Sequence, residues 1–215
     1  MSLDDFPTQI VTRGRLDFVL LNTGFAIVNT RDGAHPEVVG TFSSSAPDRI
    51  AVSGNKVFVG GFDALRVVDV SKPATPVEIA SVPFATDVFD LAVSQGVLAV
   101  AGEDDTLRLY DVSNPKNPML VHRRPVSAFG LATRNNLLLV GATGGLQILD
   151  VADPAGPVDI GGIGPPLTVF SIALEGSQAL LSGRVGTFGD LAALRGVLDE
   201  STAQEEGLFD DLDEL

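Results

Sequence analysis

One twelve-residue block is written four times along the chain. Its clearest copy is Leu107 to Pro118, L-R-L-Y-D-V-S-N-P-K-N-P. Close copies run from Leu65 to Pro76 (L-R-V-V-D-V-S-K-P-A-T-P) and from Leu146 to Pro157 (L-Q-I-L-D-V-A-D-P-A-G-P). A worn copy runs from Phe25 to Pro36 (F-A-I-V-N-T-R-D-G-A-H-P). The block starts step by 40, 42 and 39 residues. A second landmark, an alanine directly after Ile or Leu, stands at Ala51, Ala92, Ala132 and Ala173, with steps of 41, 40 and 41. Two landmarks with one period identify a repeat array rather than a string of unrelated elements.

The second unit reads as four short strands. Asp48–Ser53 leads into a Gly54-Asn55 hairpin signal, followed by Lys56–Gly61, Leu65–Val70 and, after a proline turn, Val77–Val82. Four antiparallel strands in about 40 residues make the blade of a β-propeller. The third strand is apolar on both faces, with Leu65 and Val67 on one and Val68 and Val70 on the other. A blade sandwiched between neighbours needs that, whereas an exposed hairpin would alternate. The recurring alanine falls on the first strand, where small residues suit a narrow axis. The fourth strand follows a proline and carries charge, at Glu78, His122, Arg123, Arg124 and Asp159, as a protected edge does.

The expected fold is therefore all-β, a β-propeller-type array of four-stranded antiparallel blades with about four full units and a partial fifth. The repeat domain spans residues 1–186, with units 7–46, 47–86, 87–127, 128–166 and a partial 167–186. An acidic tail follows at 187–215. There Leu191, Leu194 and Leu198 have helical spacing behind an N-cap at Asp190. The competing reading takes Leu194 to Asp199 as a damaged third strand. The tail reads as a disordered solubilising stretch, as a segment that folds on a partner, or as a product of truncation.

Composition removes several functions. The chain has 215 residues, no Cys and two His, so thiolate metal sites and Cys nucleophiles have no material. Ser-His-Asp chemistry has almost none. The net charge of −14 repels nucleic acid and anionic membranes. No apolar run approaches the ~18 residues of a membrane span. The start, M-S-L-D-D-F, lacks the basic and apolar regions of a signal peptide, so the chain reads as cytoplasmic or as a fragment.

The copies L-R-V-V-D-V-S-K-P and L-R-L-Y-D-V-S-N-P resemble the LVIVD repeat, and the similarity extends over roughly residues 7–186. The resemblance implies a β-propeller-like fold and a binding or scaffold role without assigned chemistry. It also implies a cell-surface or extracellular setting, from which the missing signal peptide departs.

The recurring acid of the block, Asp69, Asp111 and Asp150, reads as a structural turn residue that accepts backbone N–H groups before Ser and Pro. No residue is singled out as catalytic. Loops on one rim of a propeller carry binding residues, and here they hold Asp48, Asp63, Asp87, Asp90, Glu103, Asp104 and Asp105. Such carboxylates could hold Ca²⁺, but they lack the spacing of a calcium loop, so no cofactor or metal is assigned. Gly141, Gly144 and Gly145 lie in a strand hairpin and open no phosphate-binding helix. The leading reading is a non-enzymatic repeat domain that binds protein or glycan. The alternative is a Ca²⁺-dependent lectin or a hydrolase using the rim carboxylates. No membrane insertion is expected. Open blade faces at the ends of the array are expected to favour self-association.

Overall fold

A computed structural model describes residues 6–165, 167–176 and 178–185, and all regular structure among them is strand. Sheet 1 holds β1 (Pro7–Arg13), β2 (Leu16–Leu21), β3 (Gly24–Asn29) and β4 (Glu37–Ser43). Sheet 2 holds β5 (Pro47–Ser53), β6 (Lys56–Gly61), β7 (Ala64–Asp69) and β8 (Val77–Pro83). Sheet 3 holds β9 (Val88–Ser94), β10 (Val97–Gly102), β11 (Thr106–Asp111) and β12 (Met119–Pro125). Sheet 4 holds β13 (Ala128–Arg134), β14 (Leu137–Ala142), β15 (Gly145–Asp150) and β16 (Val158–Ile163). Sheet 5 pairs β17 (Leu167–Glu175) with β18 (Gln178–Val185). Every sheet is an antiparallel meander in chain order. The helix expected in the tail falls outside the described residues.

The core lies between sheets, not within them. Phe18, Leu20, Phe25 and Ile27 of sheet 1 meet Ile50, Val57, Val59 and Val68 of sheet 2. The opposite face of sheet 2, with Phe58, Leu65 and Val67, meets Leu91, Leu98 and Val100 of sheet 3. Adjacent residues of one strand therefore face different neighbours, and Val67 and Val68 are both fully buried. The same arrangement joins sheet 3 to sheet 4 through Leu107, Leu109, Leu138 and Leu149. It joins sheet 4 to sheet 5 through Leu139, Leu146 and Val169. Of the two end faces, that of sheet 1 holds a small buried cluster, Val19, Leu21 and Ala26 with Val28 and Val38. Sheet 5 exposes Phe170 (47%) and Leu180 (55%).

Four boundaries of the second unit differ from the sequence expectation by one residue, at the starts of β5 and β7 and the ends of β7 and β8, and two of them have a clear physical reason. The third strand ends at Asp69 because the Val70 N–H leaves the ladder and donates to Asn55 O of the first hairpin, at 2.9 Å. Val112 and Val151 do the same to Gly96 O and Asn136 O, both at 2.7 Å. The first strand of sheet 2 starts at Pro47 because Asp48 is a β-bulge: Pro47 pairs with Gly61 and Arg49 with Gly60, leaving Asp48 unpaired between them. On the outer edge, Arg124 Nη1 bridges β12 to β16 through both Asp159 oxygens, at 3.1 and 3.0 Å.

Candidate binding rim

The first strands of all five sheets carry the same bulge. The register skips Thr8 in β1, Asp48 in β5, Phe89 in β9, Phe129 in β13 and Phe170 in β17. A bulge re-aims the unpaired side chain out of the ladder. These strands line a central cleft of about 370 Å³, bordered by Gln9, Ile50, Asp90, Leu131 and Ser171. Each bulged residue sits one position before the cleft level marked by Gln9, Asp90 and Ser171. Phe89, Phe129 and Phe170 form a continuous ladder there. Ring centroids are 5.7 Å apart for Phe89–Phe129, tilted by 40°, and 5.5 Å apart for Phe129–Phe170, edge-on at 64°. Phe89 and Phe129 are partly exposed and Phe170 is exposed.

Glycines let the last step of the ladder close. A Cβ on Gly130 would stand 2.8 Å from Phe170 O, and one on Gly141 would stand 2.6 Å from Val169 Cγ1. Side chains next to the bulges lock the strands to one another. The Gln9 amide accepts the Ile50 N–H at 2.8 Å and donates to Ile50 O at 3.1 Å. The Asp48 carboxylate accepts the Val88 N–H at 3.0 Å, and that of Asp90 accepts the Leu131 N–H at 2.7 Å.

The seven rim acids named from the sequence do lie on the rim that carries the ladder, but not as one cluster. Asp48 and Asp90 sit on first strands. Burial raises both above the usual carboxylate range; backbone N–H bonds offset part of this, and Asp87 adds to the rise at Asp48. Asp63, in the β6–β7 hairpin, is held by both Arg66 Nη atoms, at 3.0 and 2.6 Å, and by the Ser45 hydroxyl at 2.8 Å. The Arg66 bonds, then the Ser45 bond, push its carboxyl well below the usual range. Asp104 is paired with Arg108 and lowered for the same reason, while Arg108 also lies over the Phe84 ring at 5.1 Å. Asp105 turns the β10–β11 hairpin with φ of 54° and accepts the Ser127 hydroxyl at 2.6 Å. Asp87 and Glu103 are exposed, joined by the Glu103 N–H donating to Asp87 O at 2.9 Å. Neither enters an ion pair among the described residues. Among the described residues no three His, Asp or Glu side chains converge on a point where a metal ion could sit. His35 pairs with Asp32 in a turn of sheet 1, and His122 lies on β12 of sheet 3.

The acids of the repeated block lie on the opposite rim. Oδ1 of Asp69, Asp111 and Asp150 accepts the N–H of Ser71, Ser113 and Ala152, at 2.8, 2.9 and 2.8 Å. The phenylalanine ladder was not singled out in the sequence, although its signal is present. Phe89, Phe129 and Phe170 each stand three residues before a landmark alanine, and Asp48 holds that place in unit two.

Residues 46–83 and 85–124 match the LVIVD repeat. These two units are thus similar to LVIVD repeats. They are sheets 2 and 3, and the LVIVD signature is their third strand. No curated protein matches the sequence. Solved structures share the fold at low identity. A functionally unknown protein from Desulfotomaculum acetoxidans aligns with 85% of this chain and 64% of its own, at 12% identity and a TM-score of 0.73. The computationally designed Ika8 protein aligns over 82% and 55%, at 14% and 0.63. The β-propeller domain of Cps50 (Swd1) from Myceliophteria thermophila aligns over 74% and 59%, at 14% and 0.58. This chain thus spans between half and two thirds of each. The fold is a propeller-like array of blades.

Proposed function

We propose that the LVIVD-repeat array is a non-enzymatic binding module whose recognition surface is the bulged inner rim, centred on Phe89, Phe129 and Phe170. The observation that carries this reading is the ladder itself. Three aromatic rings touch in a row, each one position before the first-strand level that borders the cleft, on a backbone feature common to all five sheets, and Phe170 is 47% exposed. Aromatic anchors on a rigid scaffold are where binding energy concentrates. Among the rim carboxylates Asp63 and Asp104 are occupied by arginines and Asp48 and Asp90 by backbone N–H groups, which disfavours the catalytic alternative.

Panning a random peptide display library and a glycan array against the full chain tests the proposal, with a Phe89→Ser/Phe129→Ser/Phe170→Ser variant as counter-target. Ligands retained by the parent and lost by the variant, with both chains folded by circular dichroism, are the expected result. Ligands that bind both equally, or no ligand at all, would overturn it.

A further inference from the structure

Resting on that reading, we propose that the rim takes a basic, apolar segment of a partner protein in extended conformation. Its apolar side chains lie on the phenylalanine ladder, and its Lys or Arg heads reach the carboxylates beside Phe89.

The ladder is short and uneven. Its two ring steps, 5.7 and 5.5 Å, span at most about 11 Å, which matches about three residues of extended chain at ~3.3 Å each. The rings tilt by 40° and 64° against one another, so they do not make one flat shelf. A sugar ring stacks on a flat aromatic face. Aliphatic side chains and the methylene stems of Lys and Arg follow an uneven strip, and their cationic ends gain from π faces.

Charge on this rim is lopsided in the matching sense. Farther out, Asp63 is neutralised by Arg66 and Asp104 by Arg108. Close to Phe89 the balance differs. Asp48 takes the ladder position next to Phe89 on the arc, and Asp90 follows Phe89 in β9. Asp87 and Glu103 flank them in the adjoining loops, joined through the backbone at 2.9 Å. The nearby cations are already engaged: Arg49 Nη1 is bound to Asp48 O at 2.8 Å, and Arg108, beside Gly102, is bound to Asp104 at 2.9 Å. Asp87 and Glu103 thus remain exposed and enter no ion pair among the described residues, on a chain of net charge −14. Such a field selects cationic partners and speeds their encounter.

Fluorescence anisotropy on the full chain distinguishes the outcomes. The probe is a labelled Gly-Lys-Leu-Phe-Leu-Lys-Gly peptide. Two further peptides replace Lys by Glu, or Leu and Phe by Ser. The Lys peptide should bind at low ionic strength. Both substituted peptides should lose at least about tenfold in affinity, a difference of about 1.4 kcal/mol. An Asp87→Asn/Glu103→Gln variant should weaken the Lys peptide several-fold and flatten its salt dependence. These positions are exposed, so folding should be untouched. Equal binding of the Lys and Glu peptides at a ladder-dependent site would overturn the cationic class and leave the binding module standing. Ladder-dependent binding of neutral oligosaccharides with no peptide binding would replace the partner by a glycan. No ligand lost on changing the ladder would end both readings.

Discussion

The two rims of the array handle the same repeat in opposite ways. On the proline-turn rim the side chain is nearly constant, an Asp or once an Asn. Asn29, Asp69, Asp111 and Asp150 each accept an N–H two residues onward, at 3.0, 2.8, 2.9 and 2.8 Å. On the inner rim the backbone is constant and the side chain changes: every first strand bulges, and the bulged residue is Thr8, Asp48, Phe89, Phe129 or Phe170. A residue whose hydrogen bond closes its own turn is fixed by that turn. A bulge needs no particular side chain and leaves one free to differ. Repetition of a residue therefore marks architecture here, and variation on a repeated backbone marks the recognition surface.

The comparison breaks most severely where the inner rim depends on close approach. Gly130→Ala would put a Cβ 2.8 Å from Phe170 O and 2.9 Å from Ser171 Cα, both backbone atoms that cannot swing aside. Strand β17 must retreat, and overpacking of this kind costs about 1–3 kcal/mol. Thermal melts should show this loss, and the peptide affinity of the rim should fall with it. An unchanged melt would mean that the sheets do not meet as closely as described.

Asp111→Ala acts on the other rim and should separate the two. It removes an acceptor for the Ser113 N–H at 2.9 Å and for the Ser113 hydroxyl at 2.6 Å. The loss should be about 1 kcal/mol, the usual net worth of such bonds. Denaturant titration should report that loss while rim binding stays unchanged. A fall in binding larger than the fall in stability would show that the rims are coupled.

The fold was legible because its physics is periodic. The two-sided apolar pattern of Leu65, Val67, Val68 and Val70 can be satisfied only between two sheets, and these four residues are buried there. The turn acids were legible because Asp before Ser and Pro has one dominant local use. The inner rim was legible only in part. Asp48 and Asp90 were drawn from the sequence as carboxylates near strand starts, yet they bond backbone groups of the next sheet. Phe89, Phe129 and Phe170 were not singled out, since Phe beside Val or Ala on a strand ordinarily points into a sheet interface. The bulge on which they sit leaves no residue signature. Pro, Val and Ala all directly precede it. Only the constant distance to the landmark alanine betrays it.

Acid titration sharpens the comparison further, because the two rims carry carboxylates shifted in opposite directions. Bonds from the Ser113 hydroxyl and N–H lower Asp111, so its contribution is present above the unfolded carboxylate pKa and is lost as pH falls through that range and below. Burial raises Asp90, so the folded state holds its proton more tightly than the unfolded chain does. Its stabilising effect is present below the unfolded value and is lost as pH rises through the folded one. Asp90→Asn keeps an oxygen for the Leu131 N–H and removes the charge. Melting curves against pH should therefore diverge. The advantage of the parent over Asp111→Ala should grow from acid pH toward neutrality. Its advantage over Asp90→Asn should shrink over that same interval. Parallel curves would show that Asp90 is not desolvated.

The smallest expected effect carries the most discrimination. Phe170→Ser removes a ring that is 47% exposed and touches Phe129 edge-on at 5.5 Å. Surface substitutions of this kind change stability by no more than about 0.5 kcal/mol. If the inner rim is a recognition surface, the Lys peptide should lose several-fold in affinity for this near-neutral cost in stability. The proline-turn rim should behave in reverse, with Asp111→Ala costing stability and no affinity. A Phe170→Ser melt falling further than that of Asp111→Ala would place the ladder in the structural core. The variable bulge residues would then be packing choices of individual sheets, and the distinction between the rims would dissolve.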